Sequence, residues 1–395
     1  LFPSVSETFV VSNIIGAIDK GYSVKILADS IQFPDLSSQS NLINKYNLLD
    51  ATVSYKAPKG KARRYLLGLF YMLNPILLYY FIAYCRFQRK ITWEYIFILK
   101  FYSSYRRVHA FHVHFATALD PLPALKEIKF ITAKIVVTFH GYDAFYFPVG
   151  IRGEFILKYL EKHVAAVTTN SNYLKTILLK HGFNSQKISI VPIGIDTLFF
   201  KRIERDLTIN TKRSVKIITV GRLIDLKGQR YGIEAIRELK TKGFSVNYTI
   251  VGDGDTKTIL EKMIKDYKLE SNVRLVGSKS QEEIRDLLSE ADIFLITSVK
   301  DKTNRREAFG VVSLEAQAMN LPVVGFDSGG ISETVENNIS GFLVEEANIT
   351  KLTLALQKLI ENPELRHTMG LAARKFICEN FKTEDTLKKY FDLYK

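Results

Sequence analysis

The chain has 395 residues, with 55 Lys+Arg against 41 Asp+Glu and a formal net charge of +14. With 47% hydrophobic and 24% charged residues, the composition excludes a wholly disordered or fibrous chain, and the length implies two domains. Two cysteines exclude a disulfide framework; no signal-peptide pattern opens the sequence, and its start at Leu1 rather than Met leads us to expect a short preceding piece.

In chain order, a helical period over residues 6–20 comes first, and the strand expected ahead of it is missing. A strand is predicted over 23–28. The character then changes. Residues 56–107 hold eleven Lys/Arg and one acid, Glu94, which is ten of the fourteen net charges, together with 14 of the 47 aromatic residues and the only Trp, Trp93. Inside this window Tyr65–Cys85 runs 21 residues without a charge. Three readings compete: a membrane span, a pair of core helices, and a helical surface that dips into an anionic bilayer. Asn74-Pro75 splits the run and five tyrosines lie in it, which weakens a span. Basic flanks at Arg63-Arg64 and 86–90 around an apolar run favour the third reading. Nucleic acid, the other acidic partner, would want exposed aromatics on a polar platform and is not expected.

Alternation resumes with strands over 110–115, 134–139, 165–169 and 188–192, separated by helices over 119–128, 155–162 and 172–181. Polar residues 197–214 read as a linker. Further strands follow over 215–220, 245–251, 272–276, 293–296, 322–326 and 341–344. Helices between and after them cover 228–240, 256–267, 281–289, 311–319, 331–336 and 349–361. Repeated βα alternation predicts parallel sheets covered by helices, hence an α/β protein of two domains with a cleft between them. The expected division is 1–200, a linker 201–214, a second domain 215–375, and a Lys-rich terminal helix within 376–395. Ligands of such sheets bind beyond the carboxyl ends of the strands.

The motifs lie mostly in the second half. Gly221 and Arg222 end a strand, and Lys227-Gly228 follows at a helix start. Two cations over a helix N-terminus suit a phosphate; solvated charges on an ordinary βα loop are the alternative. Glu307 and Glu315 lie eight apart around Gly310, the first in a loop and the second inside an apolar helix, where a buried carboxylate needs a partner. They could share a ligand with sugar hydroxyls, or be a capping acid and an exposed helical Glu. His140, before Gly141 at a strand end, could be a polar contact, a proton shuttle or a structural histidine. Asp253 and Asp255 in 252–255 read as a turn rather than a metal pair, and His109, His112 and His114 lack the ligands of a zinc site. No GxxxxGK[ST] loop or GxSxG elbow is present.

Taken together, FPSVSETF near the start, HGYD at 140–143, VPIGID at 191–196, VGRLIDLKG at 220–228, VGDGD at 251–255 and EAFGVVSLE at 307–315 resemble the retaining GT4 glycosyltransferases of GT-B fold. The opening SETF looks most like the colanic-acid and exopolysaccharide branch. The resemblance implies two Rossmann-like domains facing across a cleft, with the terminal helix crossing back to the first. It assigns Arg222 and Lys227, after Gly221, to the donor diphosphate. Glu315 would take the ribose, and Glu307 with the backbone of Ala308, Phe309, Gly310 and Val311 the transferred sugar and phosphates. Gly277, Ser278 and Lys279 would meet the nucleobase, His140 the sugar near the reacting carbon, and Ser6 and Glu7 the acceptor side. Pro3 to Glu7 stand where the family has a Gly-rich turn. The implied reaction retains anomeric configuration through a front-face, ion-pair-like displacement with no cofactor or obligatory metal. The expected partners are a nucleoside-diphosphate-sugar, a lipid-linked or saccharide acceptor, and an anionic membrane surface through 56–107. The expected place is the cytoplasmic leaflet of a bacterial plasma membrane. The rivals are another GT-B enzyme, such as a nucleotide-sugar epimerase, and an inactive scaffold that binds membrane.

Overall fold

The computed structural model describes residues 2–3, 8–148, 150–202 and 214–395. Ser6, Glu7 and most of the expected linker, residues 203–213, lie outside the described residues. Contacts divide the chain into two compact units. The first comprises Leu1–Thr169, Lys175–Val191 and Lys388–Lys395, and the second Asn170–Leu174 and Pro192–Leu387. The main boundary therefore falls at Val191–Pro192, before the expected residue 200. The C-terminal stretch expected as one helix from 376 is two helices, Pro363–Asn380 and Thr383–Tyr394, and only its last residues join the first unit.

In the first unit, β1 (Ile26–Leu27) pairs in parallel with β2 (Thr52–Val53), and Phe2 bridges to Ile31 beside them. The strand predicted over 23–28 shrinks to two residues because its named partner is only two residues long. The main sheet is parallel, in the order β3 (Ala110–His114), β4 (Lys134–Phe139), β5 (Ala166–Thr169) and β6 (Ile188–Ile190). Its β4 reads KIVVTF and is buried from Ile135 to Phe139, as a strand covered on both faces must be.

The second unit holds six parallel strands: β7 (Val215–Val220), β8 (Val246–Val251), β9 (Val273–Leu275), β10 (Ile293–Ile296), β11 (Val323–Asp327) and β12 (Gly341–Glu345). Their order is β12-β11-β10-β7-β8-β9. From β7 the chain proceeds one way to β8 and β9; β10 starts on the other side and proceeds away. The order thus reverses between β7 and β10, the place where such sheets open a crevice. Tyr248 of β8, fully buried, donates its hydroxyl to Thr219 Oγ1 of β7 at 2.8 Å, and the Thr219 hydroxyl in turn donates to the Leu295 carbonyl of β10 at 2.6 Å. Gly232 of the helix Gln229–Thr241 sits on that ring, where a Cβ would approach the Tyr248 hydroxyl at 2.6 Å. Small residue, large ring and paired hydroxyls together seat the helix on the strand pair that carries the motifs. The predicted helix over 331–336 is a single 3-10 turn, Ile331–Glu333.

The window 56–107 forms three helices, Lys61–Met72, Pro75–Gln88 and Glu94–Tyr102. Asn74 caps the second by accepting from Ile76 N (3.0 Å) and Leu77 N (3.2 Å), with Pro75 at its first position. The first two are not a core pair, since Tyr65, Leu66, Phe70, Leu73 and Tyr79 are all exposed. Among the described residues no single helix is long and apolar enough to cross a membrane; these two pass only as a pair, bent by 114°.

Candidate functional site

The carboxyl ends of β7 and β10 supply the cluster. After β7 the chain runs through Arg222 into the turn Asp225–Lys227 and the helix Gln229–Thr241. Gly228 has φ +59° and lies against β10's end, where a Cβ would overlap the Thr297 carbonyl oxygen. Thr297 Oγ1 donates to the Lys227 carbonyl at 3.2 Å, Val299 N to the Leu226 carbonyl at 2.8 Å, and Gln229 Nε2 to the Arg222 carbonyl at 2.9 Å. These bonds hold the Lys227 backbone against the end of β10.

Lys227 Nζ donates to Glu307 Oε2 at 2.5 Å, and Ser298 Oγ donates to the same oxygen at 3.1 Å. Both members of the ion pair are largely enclosed, with side chains 18% and 14% exposed. Burial alone would raise the Glu307 carboxyl, but the Lys227 ammonium, the Ser298 hydroxyl and the Arg222 charge overcome it and hold Glu307 below its ordinary range. Arg222 itself is exposed. Positive charge on two side chains is thus gathered where β7 ends, and Glu307 stays ionised between them.

Gly329 and Gly330 fix Glu307 from behind. Gly330 N donates to the Glu307 carbonyl at 2.8 Å, and Gly329, at φ +64°, would overlap that oxygen if it carried a Cβ. Glu346 steadies the loop, accepting from Lys300 N, Arg306 Nε and Ser328 Oγ, each at 2.8 Å. Ala308, Phe309 and Gly310 (φ +89°) then lead into the helix Val311–Ala318, where Ser313 N donates back to the Gly310 carbonyl at 2.9 Å and the N–H groups ahead of it begin the helix with no preceding turn to accept them.

Glu315 lies inside that helix and is 6% exposed. Burial pushes its carboxyl up to about 7, against a lowering bond from Gln281. Gln281 opens the helix Gln281–Glu290, directly after Gly277 (φ +73°), Ser278, Lys279 and the capping residue Ser280. Glu315 is therefore tied to the loop that follows β9. Lys279, just ahead of the cap, pairs with Glu283 in the first turn of that helix at 2.9 Å. The two glutamates differ in state: Glu307 is held charged by its cations, whereas burial brings the Glu315 carboxyl into the neutral pH range, where it is only partly ionised.

His140 belongs to the first unit. It follows β4, and Asp143 Oδ1 accepts from His140 N at 3.0 Å and Gly141 N at 3.1 Å, while Oδ2 accepts from Ala116 N at 2.9 Å. His140 Nε2 lies 3.1 Å from His114 Nδ1, and its ring meets Phe9 and Phe115 at 4.3 and 4.7 Å between centroids. Burial, with His114 beside it, drives its pKa well below 6.5, so the ring is neutral at pH 7. Its Nδ1 is buried without a hydrogen-bond partner among the described residues. His112, behind, bonds Thr138 Oγ1 at 2.6 Å and Tyr394 OH at 2.7 Å. Among the described residues no group of three His, Cys, Asp or Glu is arranged to hold a metal ion. The 252–255 segment is a turn, with Asp253 paired to Lys257 at 3.4 Å.

Ser298, Gln281 and Glu346 escaped the sequence reading. Ser298 could have been found by position, because it stands just beyond a buried strand on the side where ligands bind. Gln281 carried no signal of its own.

Comparison with known proteins agrees with this geometry. The family profile described as Glycosyl transferases group 1 matches residues 200–376, and that described as Glycosyltransferase Family 4 matches residues 49–198. The amylovoran biosynthesis glycosyltransferase AmsK of Erwinia amylovora is 33% identical over 96% of this chain and 94% of its own. WcaL of Escherichia coli K12 is 29% identical over 95% and 93%. The crystal structure of Anabaena Alr3699/HepE in complex with UDP superposes with a TM-score of 0.72 at 17% identity, covering 99% of this chain and 96% of that one. The fold is GT-B, two Rossmann-like domains, and the chain belongs to the GT4 family of glycosyltransferases.

Proposed function

We propose that the protein transfers a sugar, with retention of anomeric configuration, from a nucleoside diphosphate to a lipid-linked or saccharide acceptor in bacterial surface-polysaccharide synthesis. The observation that carries the reading is the Arg222–Lys227–Glu307–Ser298 cluster at the β7/β10 switch point. AmsK is named for biosynthesis of such a polymer, and HepE was solved with UDP.

In this reaction the bond from the anomeric carbon to the β-phosphate oxygen breaks. The acceptor oxygen bonds to the same face of that carbon, and its proton passes to the departing phosphate. Negative charge grows on the diphosphate, and Arg222, Lys227 and the N–H groups at the start of Val311–Ala318 stabilise it without reorganising. Glu307, kept ionised by Lys227, Ser298 and Arg222, supplies the negative charge that favours the positive sugar ring. Glu315 accepts the ribose hydroxyls, and Gly277, Ser278 and Lys279 border the base. The cations make a metal unnecessary, so activity survives chelation by EDTA. We place the enzyme at the cytoplasmic leaflet of the plasma membrane, held through residues 56–107.

A thermal-shift series with UDP, GDP and ADP tests the donor class, because only a bound nucleotide raises apparent stability by mass action. Lys227→Ala should lower turnover by roughly 10²–10³, as loss of a preorganised donor does. If no nucleotide stabilises the wild type, or if the Lys227 variant turns over at the full rate, the transferase reading fails. Release of free sugar or its epimer with no acceptor product would favour the epimerase.

A further inference from the structure

The helices Lys61–Met72 and Pro75–Gln88 carry apolar side chains that the described residues leave exposed. On the first, Tyr65, Leu66, Leu69, Phe70 and Leu73 are exposed. Their spacing of one, four, five and eight residues puts them on a single stripe of the helix. The opposite stripe is packed: Gly68 lies on the Trp93 ring, where a Cβ would meet Cζ3 at 2.7 Å, and Tyr71 meets Phe97 edge-on at 5.9 Å. On the second helix Ile76, Tyr79 and Ile82 are exposed, while Leu77 and Tyr84 are buried. The most exposed of all these is Leu73, at 78%, in the break between the helices, where the chain turns by 114°.

Charge is arranged about this turn in one sense. Between Tyr65 and Cys85 there is none. At the far end of the first helix stand Lys59, Lys61, Arg63 and Arg64, and at the far end of the second Arg86, Arg89 and Lys90, all exposed. Each leg is thus apolar near the turn and basic at its foot. From Tyr65 to Leu73 is about 12 Å of helix, close to half of the roughly 30 Å hydrocarbon core of a bilayer. The pair has the reach of one leaflet, and its feet would lie at the level of anionic headgroups.

We propose that this helix pair enters a single leaflet of an anionic bilayer turn-first, with Leu73 deepest and the two basic clusters on the headgroups. A second copy of the chain is a poorer occupant, because it would bring the seven basic feet of one pair against those of another. The inference deepens the membrane placement made above, and the two can fail separately.

The experiment uses the full chain and vesicles of phosphatidylcholine with or without phosphatidylglycerol. Leu73→Trp in a Trp93→Phe background gives one reporter at the turn. On phosphatidylglycerol vesicles its fluorescence should be quenched more by a nitroxide deep on the acyl chain than by one on the headgroup. Phe70→Ser with Leu73→Ser should lower partitioning about tenfold or more. Replacing Arg86, Arg89 and Lys90 by Gln should lower it about 100-fold on anionic vesicles. A reporter at position 73 that stays unquenched while the protein cosediments overturns the proposal. So does a lipid-free dimer that the Phe70/Leu73 variant dissolves, which would make the stripe a contact between copies. The nucleotide-dependent thermal shift, read on the same variants, checks folding: vesicle binding lost with that shift intact supports the wedge. Vesicle binding intact with no nucleotide shift sinks the transferase reading and leaves the wedge standing.

Discussion

Glu315 shows how one buried side chain couples pH to both stability and ligand binding. Its carboxyl sits near 7, where burial has lifted it from an ordinary 4.5. A carboxyl raised on folding stabilises the protein fully below its unfolded pKa and loses that contribution as pH rises through the folded value. The free protein should therefore lose stability from this residue between pH about 4.5 and 7 and lack it at pH 8. Glu315→Gln keeps the neutral shape, so at pH 8 it should raise stability by about 1–3 kcal/mol, with the gain vanishing towards pH 5. Denaturant unfolding at the two pH values measures it; an equal effect at both would show that Glu315 is not held neutral. Hydroxyls that donate to Glu315 favour its ionised form, so donor binding near pH 7 should release a fraction of a proton. Calorimetry in buffers of different ionisation enthalpy reads that fraction directly. Glu307 should contribute nothing to it, because Lys227, Ser298 and Arg222 already keep it ionised.

At the scale of elements, the βα turn after β7 depends on a residue with no side chain. Gly228 combines φ +59° with contact on the Thr297 carbonyl, so Gly228→Ala is both strained and overlapping. It should cost about 1–3 kcal/mol and displace Lys227 from Glu307, so that nucleotide affinity falls along with the melting temperature. Gly243→Ala, also at positive φ but with open space around it, is the control: a similar loss of nucleotide affinity there would detach the effect from the Lys227 turn. Much of the second unit was legible in the sequence for the same local reasons. Its strands β7 and β8 are β-branched runs closed by Gly221 and Gly252, β10 is a short unbroken apolar run, and the predicted 215–220 and 293–296 agree with β7 and β10. Gly221, Lys227 and Glu307 stood out because chemistry is concentrated in their loops. The first unit was harder to read. Residues 61–102 are aromatic on nearly every side, so periodicity gave no inner face, and the break at Asn74 had to be inferred from Pro75. The contacts that complete the site were hidden by their sequence separation: Ser298 reaches Glu307 from the end of β10, and Gln281 reaches Glu315 from another helix.

For the whole molecule, the end of the chain completes the part folded from its beginning. Lys388–Lys395 belong to the first unit, although the residues before them belong to the second. Tyr390 and Phe391 are buried there, at 3% and 8% exposure, and Phe391 stacks on Tyr22 at 5.3 Å between centroids. Tyr394 bonds His112, which bonds Thr138, which bonds Thr168 at 2.6 Å, so the last turn closes a line of polar groups across β3, β4 and β5. Without it His112 Nδ1 and the Thr138–Thr168 pair face solvent or an unmatched pocket, and the tyrosine contacts are lost. Loss of a single buried aromatic commonly costs on the order of 3–5 kcal/mol, so a chain ending at Leu387 should be strongly destabilised in its first unit. Tyr394→Phe, which removes only the hydroxyl, should cost about 1 kcal/mol. Hydrogen exchange locates the effect: protection should fall in β3, β4 and β5 while β7 and β10 keep theirs, because their core around Tyr248 contains none of these residues. Equal loss in both sheets would mean that the two units unfold as one. Unchanged protection in β3 would show that the last eight residues only lie against the first unit and do not help to hold it together.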